Sequence, residues 1–208
     1  MTTNPRSLFV VTAALLVAAC GSAPTAANNT PALSSSTAAA SASPSASAVA
    51  TTTDPCQVVT QSEASTLAGT TYGTSKEETT SGGGKICWYG AGTLNVFEVF
   101  VGTASSAAVA QSQWDTEKSE IVTQLAKQTN VPGLTLTINE SDTSLSGADR
   151  AAVGTLSETY GGHTFSASAL YALKGATFLA IVDLVVDHPA PATSAMEAQG
   201  QTALARLP

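Results

Sequence analysis

Phe165-Ser166-Ala167-Ser168-Ala169-Leu170-Tyr171-Ala172-Leu173-Lys174-Gly175-Ala176-Thr177-Phe178-Leu179-Ala180-Ile181-Val182-Asp183-Leu184-Val185-Val186 is the stretch that decides the fold. Its first half alternates: Phe165, Ala167, Ala169, Tyr171 and Leu173 on one side, Thr164, Ser166 and Ser168 on the other. A period of two is a half-buried strand of an antiparallel sheet. Lys174-Gly175-Ala176 turns the chain. Phe178 to Val186 is then the most apolar strand of the sequence, and Pro189 and Pro191 end it. Upstream, Ala151 to Glu158 reads as the preceding strand, joined through Gly161-Gly162. Downstream, Met196, Ala203 and Leu207 mark a closing amphipathic helix.

The same reading extends backward. Asp54-Pro55-Cys56 opens the folded part. Thr60-Gln61-Ser62-Glu63 predicts a capping box at the start of a short helix, and Gly69 suits its left-handed stop. Thr70 to Ser75 reads as a strand and Lys76 to Gly84 as an exposed loop. Lys85 to Tyr89 is a second strand. Thr93 to Val101 is a third, apolar on both faces as a central strand is, with Asn95 and Glu98 as the exceptions. Ser105 to Gln128 predicts the longest helix, because Ala110, Trp114, Ile121 and Leu125 fall on one face. Val131-Pro132-Gly133 breaks it. Leu134 to Ile138 suggests a short strand, and Asn139 to Gly147 a loop. Strands grouped between helices predict an α+β class: an antiparallel sheet of about six strands with helices packed on one face. The order helix, three strands, helix, three strands, helix also suggests a duplicated unit.

The N-terminus sets the address. Arg6 precedes an apolar run from Leu8 to Ala18. The run is about ten residues where a spanning helix needs roughly twenty, so it reads as a secretory signal. Leu16-Val17-Ala18-Ala19-Cys20-Gly21 closes it and resembles the bacterial lipobox. Cys20 would then carry a diacylglycerol and become the mature N-terminus. From Gly21 to Thr53, 28 of 33 residues are Ala, Ser, Thr or Pro. Such a segment buries too little apolar surface to offset its ordering entropy and reads as a disordered tether. The expected division is a signal peptide at 1–19, the lipidated cysteine and tether at 20–53, and one domain at 54–208.

Beyond Cys20 there are 7 Lys or Arg and 15 Asp or Glu, a net charge of 7 − 15 = −8. That balance argues against nucleic acid, whose phosphates demand clustered cations. It also disfavours adhesion to anionic lipid, so the membrane would be reached through the lipid on Cys20. With Cys20 consumed, Cys56 and Cys87 remain. An even pair in an exported chain reads as a disulfide, against two reduced buried cysteines. Two thiolates without a nearby histidine would leave a metal shell open.

Motifs for chemistry are sparse. No serine sits in a Gly-x-Ser-x-Gly elbow. Gly82-Gly83-Gly84-Lys85 is followed by Ile86 where a phosphate loop needs Ser or Thr, and Thr79 stands where its first glycine belongs. His163 and His188 are the only histidines, without partners at metal spacing. Asp183 and Asp187, four apart on a strand, would share a face, where a carboxylate pair can do acid–base work. The plainer reading of Asp183 is a paired or edge-exposed aspartate. No catalytic residue, metal or cofactor is assigned from the sequence.

Asp54-Pro55-Cys56, Val58-Val59-Thr60 with Glu63-Ala64, Cys87 followed at two residues by Tyr89, and Gly147-Ala148-Asp149-Arg150-Ala151 resemble an actinobacterial envelope lipoprotein domain of unknown function. The resemblance spans roughly Asp54 to Leu207 and implies export and lipidation. The expected protein is a non-enzymatic, membrane-anchored extracytoplasmic lipoprotein that binds a small-molecule ligand or an envelope protein. The alternatives are an envelope hydrolase that places His163 or His188 on Asp183, or a lipid carrier.

Overall fold

A computed structural model describes residues 53–80, 82–90, 93–116 and 135–208. The lipobox at Cys20 and nearly all of the tether lie outside them. The elements are α1 (Pro55–Val58), α2 (Gln61–Ala68), β1 (Lys76–Thr79), β2 (Lys85–Tyr89), β3 (Val96–Thr103), a helix α3 described over 107–116, β4 (Thr135–Thr143), β5 (Arg150–Tyr160), β6 (His163–Lys174), β7 (Thr177–Val186) and α4 (Thr193–Leu204). All seven strands form one antiparallel sheet in the order β1-β2-β3-β7-β6-β5-β4. The class is α+β, as the strand patterning predicts.

Local chemistry sets the helix ends. The Asp54 carboxylate accepts from the Cys56 N–H at 2.8 Å, and Pro55 begins α1 without needing a donor. The capping box forms: the Thr60 N–H donates to Glu63 at 2.8 Å, and Gly69 closes α2 at φ 65°. Arg206 then clamps Glu63 with two bonds of 2.6 and 2.7 Å and donates to the Val58 carbonyl. The C-terminal turn is thereby tied to the first two helices. Arg206 foremost, with the Thr60 bonds, holds the Glu63 carboxyl down at about 2 against the upward push of burial.

Odd-numbered residues of β3 and β7 face one side of the sheet. There Phe97, Val99, Leu179 and Ile181 meet Val58, Met196 and Leu204 of α1 and α4. α4 lies close: a Cβ on Gly200 would sit 2.6 Å from Leu170, so glycine is what lets helix and strand approach. On the second face, Ile86, Phe100, Phe178 and Ala180 meet Ala110 and Trp114 of α3. Arg150 lies 5.8 Å from the Trp114 ring and 3.4 Å from Asp115, fixing α3 on that side.

Four expectations change. The helices do not gather on one face: α3 covers the second, because Phe100 and Phe178 project there and need cover. Thr70 to Ser75 is not a strand; β1 is Lys76–Thr79 instead, exposed throughout and paired with β2. An edge strand with no buried side chain leaves no alternation to read. β4 runs through Thr143, pairing with β5 along nine residues, and so replaces the expected loop. Its polar residues fit an edge strand, and the described strands number seven. The duplication also fails. β3 and β7 adjoin antiparallel, so any rotation relating the two halves would keep each face in place, yet α3 and α4 lie on opposite faces.

Candidate functional site

Three local arrangements hold the polar side chains that could do chemistry. The first is the disulfide. Cys56 and Cys87 are bonded, with Cα atoms 5.2 Å apart. Cys87 and Tyr89 are two apart on β2 and so share the first face. The Tyr89 hydroxyl donates to the Val59 carbonyl at 2.6 Å and lies 3.2 Å from that of Cys56. Burial pushes the Tyr89 phenol up to about 12, with the Asp54 and Glu63 charges adding to it. Covalent bond and phenol together hold the start of the domain on the sheet. Asp54, Cys56 and Glu77 bring donor atoms within 4.8 Å of one another, but the Cys56 sulfur is committed to Cys87. Two carboxylates remain, and they make no structural metal centre.

The second arrangement is Asp183, fully buried on β7 between Phe97 of β3 and Ser168 of β6. The Tyr72 hydroxyl donates to its Oδ1 at 2.7 Å, and Oδ2 has no hydrogen-bond partner. Burial pushes the Asp183 carboxyl up to about 6, partly offset by the Tyr72 bond. Burial and Asp183 together drive the Tyr72 phenol far above its ordinary range. Ser168 donates elsewhere, to the Pro191 carbonyl at 2.6 Å.

Asp183 is paired, with Tyr72, and the conceivable Asp183–Asp187 carboxylate pair does not form. β7 ends at Val186, and Asp187 turns the chain at φ 57°. It is exposed, accepting from the Thr164 N–H at 2.9 Å and lying 2.8 Å from His163 Nδ1. His163 foremost, then Thr164, lowers the Asp187 carboxyl. His163 therefore contacts Asp187 on the surface, and His188 is exposed on the following turn. The hydrolase alternative asked for a histidine on Asp183; Tyr72 takes that place. Gly82 to Lys85 forms a hairpin turn, with the Gly83 N–H donating to the Thr80 carbonyl at 3.0 Å. Lys85 points to Glu77 at 2.9 Å.

The third arrangement centres on a residue that stands out in the sequence only as a charged exception in an apolar strand. Glu98 of β3 is only 4% exposed, on the second face. Its Oε1 has no hydrogen-bond partner. Burial alone pushes its carboxyl up to about 8. Its signal was present in the sequence as a single carboxylate inside a strand apolar on both faces.

Tyr72→Phe tests the Asp183 site. The phenyl ring fits, but Asp183 loses its one hydrogen bond. Loss of about 1–3 kcal/mol is expected in denaturant unfolding. The Asp183 pKa should rise further, read by carboxyl chemical shift against pH. An unchanged unfolding midpoint would show that the bond contributes nothing net.

No protein-family model matches the chain, and no curated protein matches it significantly.

Proposed function

We propose that this chain is an extracytoplasmic lipoprotein, anchored to the cell membrane through Cys20. Its α+β domain binds a small molecule or an envelope protein. The observation that carries the reading is the Cys56–Cys87 disulfide. Such bonds persist in oxidising compartments outside the cytoplasm. It supports the address read from the apolar run and from Leu16-Val17-Ala18-Ala19-Cys20. Among the described residues no helix is long and apolar enough to cross a membrane. Binding, as opposed to turnover, is favoured by the partner of Asp183. A phenol with a raised pKa donates to it, and both histidines lie elsewhere.

The test is fractionation of cells expressing wild type and Cys20→Ala. Wild type should sediment with membranes, and Cys20→Ala should appear in the soluble fraction or keep its signal peptide. Identical fractionation of the two would overturn the anchor. Mass spectrometry of small molecules and crosslinked proteins recovered with the wild-type chain tests the binding half.

A further inference from the structure

We propose that the second face of the sheet binds a small organic cation with an apolar body, and that Glu98 is its counter-charge. The proposal rests on the reading of the domain as a binding module and names the ligand class and the place.

The geometry begins with the cross-strand row through Glu98. Trp88 of β2 and Val182 of β7 are its direct neighbours. Neighbouring side chains in such a row stand about 5 Å apart on the same face. Next in the row come Ala169 of β6 and Gly154 of β5. These two project almost nothing, so the row drops from a tryptophan to a shallow floor. Leu184, one step along β7 on the same face, borders it. Trp88, Val182, Leu184, Ala169 and Gly154 are all half-buried, yet the carboxylate among them is buried. α3 covers the neighbouring row, at Phe100 and Ala180.

Charge chooses the ligand. A buried carboxyl with an oxygen lacking any hydrogen bond is expensive, and proteins retain such groups where something else satisfies them. A cation would do so. Glu140 and Glu158 stand on the same face by register and carry the same sign. The two described cations on that face are engaged at its ends: Arg150 with Trp114 and Asp115, Lys76 with Glu78. Trp88 supplies an indole beside Glu98, the side chain that attracts organic cations most strongly. An anion would meet the Glu98 carboxyl with no cation beside it, and a neutral apolar molecule would leave Glu98 unsatisfied. Trp88 and Val182, its direct neighbours, do not titrate. At pH 8.5 the Glu98 carboxyl is already largely ionised and can take a permanent cation directly.

The test uses the full chain and phenyltrimethylammonium, a permanent cation with an aromatic body, followed by titration calorimetry and amide chemical shifts at pH 8.5. Saturable binding is expected, with shifts confined to β2, β3 and β7 near Glu98. The neutral isostere tert-butylbenzene should produce no such shifts. Glu98→Gln should weaken binding about tenfold or more while the amide spectrum stays that of a folded chain. Trp88→Leu should weaken it independently. Absence of saturable binding by wild type, equal response to the neutral isostere, or full affinity in folded Glu98→Gln would each overturn the proposal. The isostere comparison needs no variant, so it stands even where a substitution disturbs folding. A different small molecule recovered from cells, without cation binding, would sink this inference and leave the binding-module reading intact.

Discussion

Removing the Cys56–Cys87 bond should cost the domain about 3–4 kcal/mol and lower its melting temperature by about 10 °C. The bond spans 31 residues, and the chain-entropy cost of leaving such a loop open in the unfolded state gives that size. It is a large share of a typical domain stability of about 5–15 kcal/mol. The place of the bond adds to the effect. It joins the turn after Asp54 to β2, and with Tyr89 it supports the segment on which Val58 and Val59 enter the core. The suitable variant is Cys56→Ala with Cys87→Ala, since a lone thiol would invite intermolecular pairing. Thermal unfolding with and without reductant should give the same drop. Intact mass after alkylation without reductant supplies the independent check. Two free thiols in protein taken directly from the envelope would sink the bond.

The second large effect is on pH dependence. Glu98 has an ordinary pKa of 4.5 and is raised to about 8 when folded. Between those values the folded state holds a proton that the unfolded state has released. Stability is therefore fully present below about pH 4.5 and falls as pH rises towards 8. The fall attributable to Glu98 is on the order of 3–5 kcal/mol. Asp183, raised from 3.8 to about 6, contributes a smaller fall between those two values. Glu98→Gln should remove the slope above about pH 6 and leave the Asp183 part below it. Urea unfolding from pH 4 to 9 reads both. The slope is the diagnostic quantity, because a buried amide carries its own desolvation cost at every pH. A variant that keeps the wild-type slope between pH 6 and 8 would show that Glu98 is not the group responsible.

Much of the sheet was legible because its signals are local. Alternation from Phe165 to Leu173, the turns at Gly161-Gly162 and Gly175, and the apolar run to Val186 place β5, β6 and β7 as consecutive hairpins. The structure gives β6 and β7 within a residue or two of those bounds. β1 is not legible in the sequence, and of β4 only the first half is, as the short strand expected from Leu134 to Ile138. Each is held to the sheet by backbone hydrogen bonds on one side only, and such bonds do not depend on side-chain pattern. Glu98 was noticed only as an exception in a strand. Whether a carboxylate in a two-faced strand is buried depends on what stands beside it, here Trp88 and Val182.

The sequence by itself determined the class of fold, the capping box at Thr60, the pairing of Cys56 with Cys87, and the poverty of recognised catalytic motifs. Each follows from residues close together or from counting: periods, caps and an even number of thiols. Tertiary structure alone decided which distant residues meet. β3 joins β7 edge to edge. Tyr72 reaches Asp183 across 111 residues, and Glu63 meets Arg206 across 143. α3 and α4 take opposite faces. The physical reason is common to all of these. Burial rewards apolar area without specifying its partner, so the choice among distant partners is made by how the whole chain closes around its core.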